Sequence, residues 1–150
     1  MRHSETAKSL FLEGYNCAQS VAGAFSAELN LPLSTVTRLA SSFGGGMGRM
    51  REVCGAVSGM SLVAGILYGY DDPKDRDAKT AHYARIQQLA AQFREQFGSI
   101  VCRELLGAEG ADHSHIPSAR TDSYYKKRPC ADLVATAAEI LSEYITNHPF

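Results

Sequence analysis

Four cysteines, Cys17, Cys54, Cys102 and Cys130, carry the greatest capacity for chemistry in this chain. A thiolate is a nucleophile, a metal ligand and one half of a disulfide. No two of the four stand at C-x-x-C spacing, which excludes zinc-ribbon, thioredoxin-like and c-type haem attachment patterns. What they share is position. Cys17 follows Asn16, a good helix cap, and Cys54 opens an apolar segment. Cys102 lies in the first turn after Ser99, and Cys130 follows Pro129. All four fall within about one turn of an expected helix start, where free N–H groups and the macrodipole stabilise a thiolate. Three also have cations beside them in sequence: Arg49 and Arg51 before Cys54, Arg103 after Cys102, and Lys126, Lys127 and Arg128 before Cys130. A nearby positive charge lowers a thiol pKa further. At least two of these cysteines are therefore expected to form a thiol-based site, against the plainer reading of four small buried hydrophobes.

Cys54 lies within the stretch FGGGMGRMREVCGAVSG, residues 43–59. A glycine loop that runs into a helix can cradle a phosphate. A P-loop, however, needs G-x-x-x-x-G-K-[ST] after a strand, and a dinucleotide loop needs G-x-G-x-x-G within a βαβ unit. Neither is present, so the loop reads as a tight turn that aims the helix start and Cys54 with it. Gly55 and Gly59 are four apart and share a helix face, where they let another backbone or a second sulfur come close. Loop, arginines and helix start converge on Cys54, which is expected to be the most reactive of the four.

The elements that must position these residues are helical. Apolar positions recur at helical spacing in 4–13 and 18–29. They do so again in 34–42, in the uncharged run 53–70, and from Asp71-Asp72-Pro73 to about Phe97, where Gly98 stops the helix. A short helix precedes Gly107, and a last one runs from about Pro129 to Asn147. Convincing alternating strands are absent. Residues 107–123 show no period, and a loop of that length in a compact domain is usually functional or mobile. The expected architecture is all-α: a single-domain compact helical bundle of six or seven helices spanning residues 1–150. The uncharged run, with its four glycines and two serines, is read as a central helix buried on all sides rather than a transmembrane segment.

A net charge of −1 offers no basic excess for neutralising phosphates, so nucleic acid is not expected as a partner. The first residues lack a secretory pattern, and a cytoplasmic location, where thiols stay reduced, is expected. His113 and His115 could reach a metal, but a solvated loop is the favoured reading for them. His82 reads as an ordinary helix residue. Tyr124 and Tyr125 are placed to pack the end of the loop over the core.

Taken together, Cys54-Gly55-Ala56-Val57-Ser58-Gly59, the segment Gly14-Tyr15-Asn16-Cys17-Ala18, the glycine run 43–49, Cys102-Arg103-Glu104-Leu105-Leu106-Gly107 and Cys130 resemble one known pattern. The chain is similar over nearly its whole length to the C_GCAxxG_C_C family of compact bacterial and archaeal four-cysteine proteins. That resemblance implies redox chemistry and a link to a transport system, without naming a substrate or cofactor. Three readings stay open. The first is thiol/disulfide or electron-transfer chemistry, with a redox partner protein or small oxidised substrate and no required cofactor. The second is a zinc ion or iron–sulfur cluster on Cys17, Cys54, Cys102 and Cys130. The third is a structural or adaptor bundle with inert cysteines. A homo-oligomer is compatible with each.

Overall fold

The computed structural model describes residues 1–150. The fold is all-α. Its helices are α1 (His3–Leu12), α2 (Cys17–Gly23), α3 (Ser26–Leu29), α4 (Leu33–Ala40), α5 (Gly55–Tyr68), α6 (Arg76–Phe97), α7 (Cys102–Leu106), α8 (Asp122–Lys127) and α9 (Cys130–Asn147). Nine helices exceed the six or seven expected, because periodicity does not resolve pieces of one or two turns.

One extra helix comes from a break in the second. Ser26 donates its hydroxyl to the Gly23 carbonyl at 2.8 Å, taking an acceptor that a continuing helix would use. The chain turns at Phe25, whose fully buried ring stacks on His3 at 4.2 Å between centroids. The other is α8, which starts at the end of the stretch read as loop and runs past it, where the Thr121 side chain caps Tyr124 N–H. The remaining starts and stops follow local chemistry. Asn16 caps α2 by accepting from Gln19 N–H, while the Gln19 side chain accepts from Asn16 N–H. Asp75, not the Asp71–Pro73 turn, caps α6 through Ala78 N–H. Gly98 ends α6 at φ 84, a left-handed position suited to glycine.

Helix α2 is the hub, packing on α1, α4, α5 and α9. The core around it holds Phe11, Phe25, Phe93, Met60, Leu89, Leu133 and Leu141, all essentially inaccessible to water. Helix α5 turns Ala56, Val57, Met60, Val63 and Ala64 inward. Its outer side is not covered, with Ile66 47% exposed, so burial on all sides does not hold. No helix is long and apolar enough to cross a membrane.

The glycine face of α5 does what its spacing implied. A Cβ on Gly59 would lie 2.6 Å from the Ala18 carbonyl oxygen of α2. One on Gly55 would meet the Phe43 carbonyl at 2.9 Å and the Cys17 Cβ at 3.2 Å. The two backbones touch, and the starts of α2 and α5 are held side by side. By contrast, Gly65 faces open space. Gly65→Ala is therefore expected to stabilise the fold by about 0.5–1 kcal/mol. Gly59→Ala is expected to destabilise it by about 1–3 kcal/mol through the backbone clash. Urea titration of the two variants checks both signs.

Candidate functional site

The expectation for the cysteines' positions is met at every one. Cys17, Cys102 and Cys130 are the first residues of α2, α7 and α9, and Cys54 is the cap residue of α5. Two long-range devices then gather these helix starts. The glycine-helix contact brings α2 to α5. An isolated antiparallel bridge pairs Val53 with Val101, with Cys54 N–H donating to Ile100 O at 2.7 Å and Cys102 N–H to Glu52 O at 2.6 Å. All four cysteines line one pocket of about 50 Å³, together with Arg51, Arg120 and Arg128. That volume exceeds the ~10–15 Å³ needed to hold a water.

The loop between Phe43 and Val53 is a tight coil. Arg51 N–H donates to Gly45 O and Glu52 N–H to Gly46 O, and Met47, Arg49 and Arg51 stand at φ 69, 65 and 62. Gly46, at φ 73, could not be larger: a Cβ there would lie 2.7 Å from the Cys102 Cβ. This coil sends the two arginines away from Cys54. Arg51 is buried, donates through Nε to Asp112 O at 2.8 Å, and directs Nη1 at the Cys102 sulfur at 3.7 Å. Arg49 crosses to the irregular loop, donating to Ser114 O at 2.6 Å, to Ile116 O, and to Ser118 Oγ at 3.0 Å, with Asp112 as its ion partner at 3.2 Å. Arg103 pairs with Glu52 on the surface.

Two further arginines bring charge to the pocket: Arg128, which sequence adjacency had set beside Cys130, and Arg120, which it had not. Arg128 is half-buried with its side chain 7% exposed, sits 4.5 Å from the Tyr124 ring centroid, and has Glu109 at 3.6 Å. Arg120 lies over the Phe11 ring at 4.3 Å and donates to Phe11 O and Tyr15 O at 2.8 and 2.9 Å. Arg120 was not singled out from the sequence, because it stands ten positions from the nearest cysteine. Tyr124 and Tyr125 do pack on Phe11, as expected.

This arrangement divides the thiols. Cys130 is pulled below the usual thiol value, first by the hydrogen bond that the Cys17 S–H donates to it, then by Arg128, Arg120 and Arg51. Cys17 is pushed up by the same interaction and then by burial. Burial pushes Cys54 up to about 12, against the opposing Ala56 and Val57 amides. Burial also raises Cys102, with Arg51 opposing. Cys54 is thus deep and apolar, and Cys130 is the one thiol of the four pulled down.

A metal would draw on these same four sulfurs. No three of the Cys, His, Asp or Glu side chains are set to hold a metal ion. His113 and His115 are exposed in their loop, and His82 packs against Arg85 with a ring nitrogen 2.8 Å from Nη1, away from the pocket.

With this geometry in place, the comparison with known proteins is decisive on ancestry. Residues 15–144 match the sequence model of the family described as "Putative redox-active protein (C_GCAxxG_C_C)". The chain belongs to the C_GCAxxG_C_C family. No curated protein and no solved structure matches it. Within the matched residues, Cys54-Gly55-Ala56-Val57-Ser58-Gly59 is the α5 start that receives α2, and Cys17, Cys102 and Cys130 open α2, α7 and α9.

Cys54 has a measurable consequence. The unfolded chain ionises this thiol near its ordinary value of about 9, while the folded chain keeps it protonated to about 12. Between those values the folded state binds the extra proton, so this group's contribution to stability falls as pH rises through the window. The stability of wild type relative to Cys54→Ala should decline between pH 9 and 11 in urea titrations. A constant difference would contradict the burial argument.

Proposed function

We propose that the protein is a dithiol/disulfide exchange protein whose reacting pair is Cys17 and Cys130. The observation that carries this reading is that Cys17 and Cys130 open α2 and the 18-residue α9 in one pocket, with three arginines lining it. The Cys130 thiolate attacks one sulfur of an oxidised substrate R–S–S–R. A Cys130–S–R bond forms, the substrate S–S bond breaks, and its electron pair leaves with R–S⁻. That thiolate takes up the proton released from Cys17. Cys17 then attacks the Cys130 sulfur and expels the second R–S⁻, which takes a proton from water. The result is a Cys17–Cys130 disulfide and two molecules of R–SH; a dithiol reductant restores the pair.

The lowered thiol pKa is useful within limits. It raises the thiolate fraction at neutral pH, and intrinsic nucleophilicity falls less steeply than pKa does. Cys54 and Cys102, both held protonated by burial, are held back from first attack. An inert bundle is the less economical reading. Burying a guanidinium without a full set of partners costs about 1–3 kcal/mol or more, and Arg51 Nη2 and Arg128 Nε have no hydrogen-bond partner. A thiolate at Cys130 offsets that cost.

The pair is tested by trapping. With one equivalent of a small disulfide at pH 7, Cys17→Ser should stop at a stable mixed disulfide on Cys130, seen by mass spectrometry. Cys130→Ser should react at least about tenfold more slowly. An unchanged rate in Cys130→Ser, or a mixed disulfide trapped on Cys54, would contradict the assignment.

A further inference from the structure

Beside the cysteine pocket lies a second, wider one of about 260 Å³. The two share Asn16, Gly45, Arg51, Arg120, Tyr124 and Arg128 as a common wall. The wider pocket is lined by four arginines, Arg49, Arg51, Arg120 and Arg128, and by His115, with hydroxyls from Ser41 and Ser118 and no carboxylate. Asp112 partly neutralises Arg49 and Glu109 partly neutralises Arg128. Arg51 and Arg120 are in no ion pair, and Arg120 is bonded mainly to backbone carbonyls. Arg51 is only 2% exposed, and its Nη2 has no partner. Arginine presents a rigid fork suited to carboxylate or phosphate oxygens. The net charge of −1 hides this cluster, because its members come from distant parts of the chain.

We infer that this second pocket is an anion-binding vestibule, which seats the carboxylate or phosphate group of a small disulfide while its sulfur reaches Cys130. The inference rests on the exchange reading above and adds a substrate class to it. Arg51 lines both pockets, directs Nη1 at the Cys102 sulfur, and keeps a buried Nη2 without a hydrogen-bond partner. Arg49 lines only the vestibule and ties its far wall, the loop 112–118, to the glycine coil. The stretch 43–51 thus contributes to an anion site through its arginine side chains, without the sequence of a phosphate loop.

The test compares three small disulfides with the fully reduced protein: 3,3′-dithiodipropionate, bis(2-hydroxyethyl) disulfide, and the bis-phosphate ester of the latter. At low salt both anionic disulfides should react at least about tenfold faster than the neutral diol, as electrostatic steering and arginine pairing require. Inorganic phosphate should slow them and leave the diol unaffected. The faster of the two identifies the preferred oxyanion. Equal rates for all three, or a faster diol, would overturn the vestibule while leaving exchange intact. If no disulfide reacts, the exchange reading fails, and phosphate binding to Cys130→Ser, followed by NMR, decides the vestibule separately. Saturable shifts at Arg49, Arg51 and Arg120 then support it, and their absence overturns it. Arg49→Gln should reduce the ratio of anionic to neutral rates at least about threefold, and an unchanged ratio would count against Arg49 as part of the site.

Discussion

The arrangement depends on positive charge held out of water beside sulfur. Arg51 is almost wholly buried and has no carboxylate partner, and the little-exposed Arg128 side chain has one at 3.6 Å. A guanidinium does not give up its proton in a protein. The charge must therefore be balanced by something else in the pocket. A thiol can become that counter-charge at low cost, since its ordinary pKa is within reach of neutrality. Of the four candidates, only Cys130 is pulled down, by Cys17 and three arginines at the N-terminus of a long helix. The electrostatics and the chemistry are the same interaction viewed from either side.

The rest of the fold reads as the means of holding that charge in place. The coil from Phe43 to Val53 keeps Met47, Arg49 and Arg51 in left-handed backbone, each at a cost of about 1–2 kcal/mol. It is offset by the coil's own hydrogen bonds and by the ties that Arg49 makes to the opposite loop. Gly46 lets the coil pass against Cys102, and Gly59 lets α2 pass against α5. A larger residue at either place would separate helix starts whose convergence makes the pocket. Membership of the C_GCAxxG_C_C family accords with an arrangement in which four cysteines line one pocket and glycines clear room for them.

Much of this was legible in the sequence because its cause is local. Asn16, Gly98 and the apolar stripes of α1, α6 and α9 act within a few residues, and so does the tendency of each cysteine to open a helix. The glycine face of α5 was legible for the same reason, since two glycines four apart always share a face. What the sequence concealed depends on residues far apart. Arg49 and Arg51 sit next to Cys54 in the chain, yet the left-handed backbone turns one to the 112–118 loop and the other to Cys102. Arg120 owes its place to carbonyls more than a hundred positions away, in α1 and the turn after it. Adjacency therefore pointed to Cys54, and packing moved the acidic thiol to Cys130.

The central claim is the identity of the sulfur pair, and disulfide mapping tests it most directly. The reduced protein would be exposed to a limiting amount of oxidant, its free thiols alkylated under denaturing conditions, and its peptides assigned by mass spectrometry. The account predicts one dominant cross-link, Cys17 to Cys130, with Cys54 and Cys102 recovered as alkylated thiols. A dominant link between Cys54 and Cys102, or between either of them and Cys130, would contradict it.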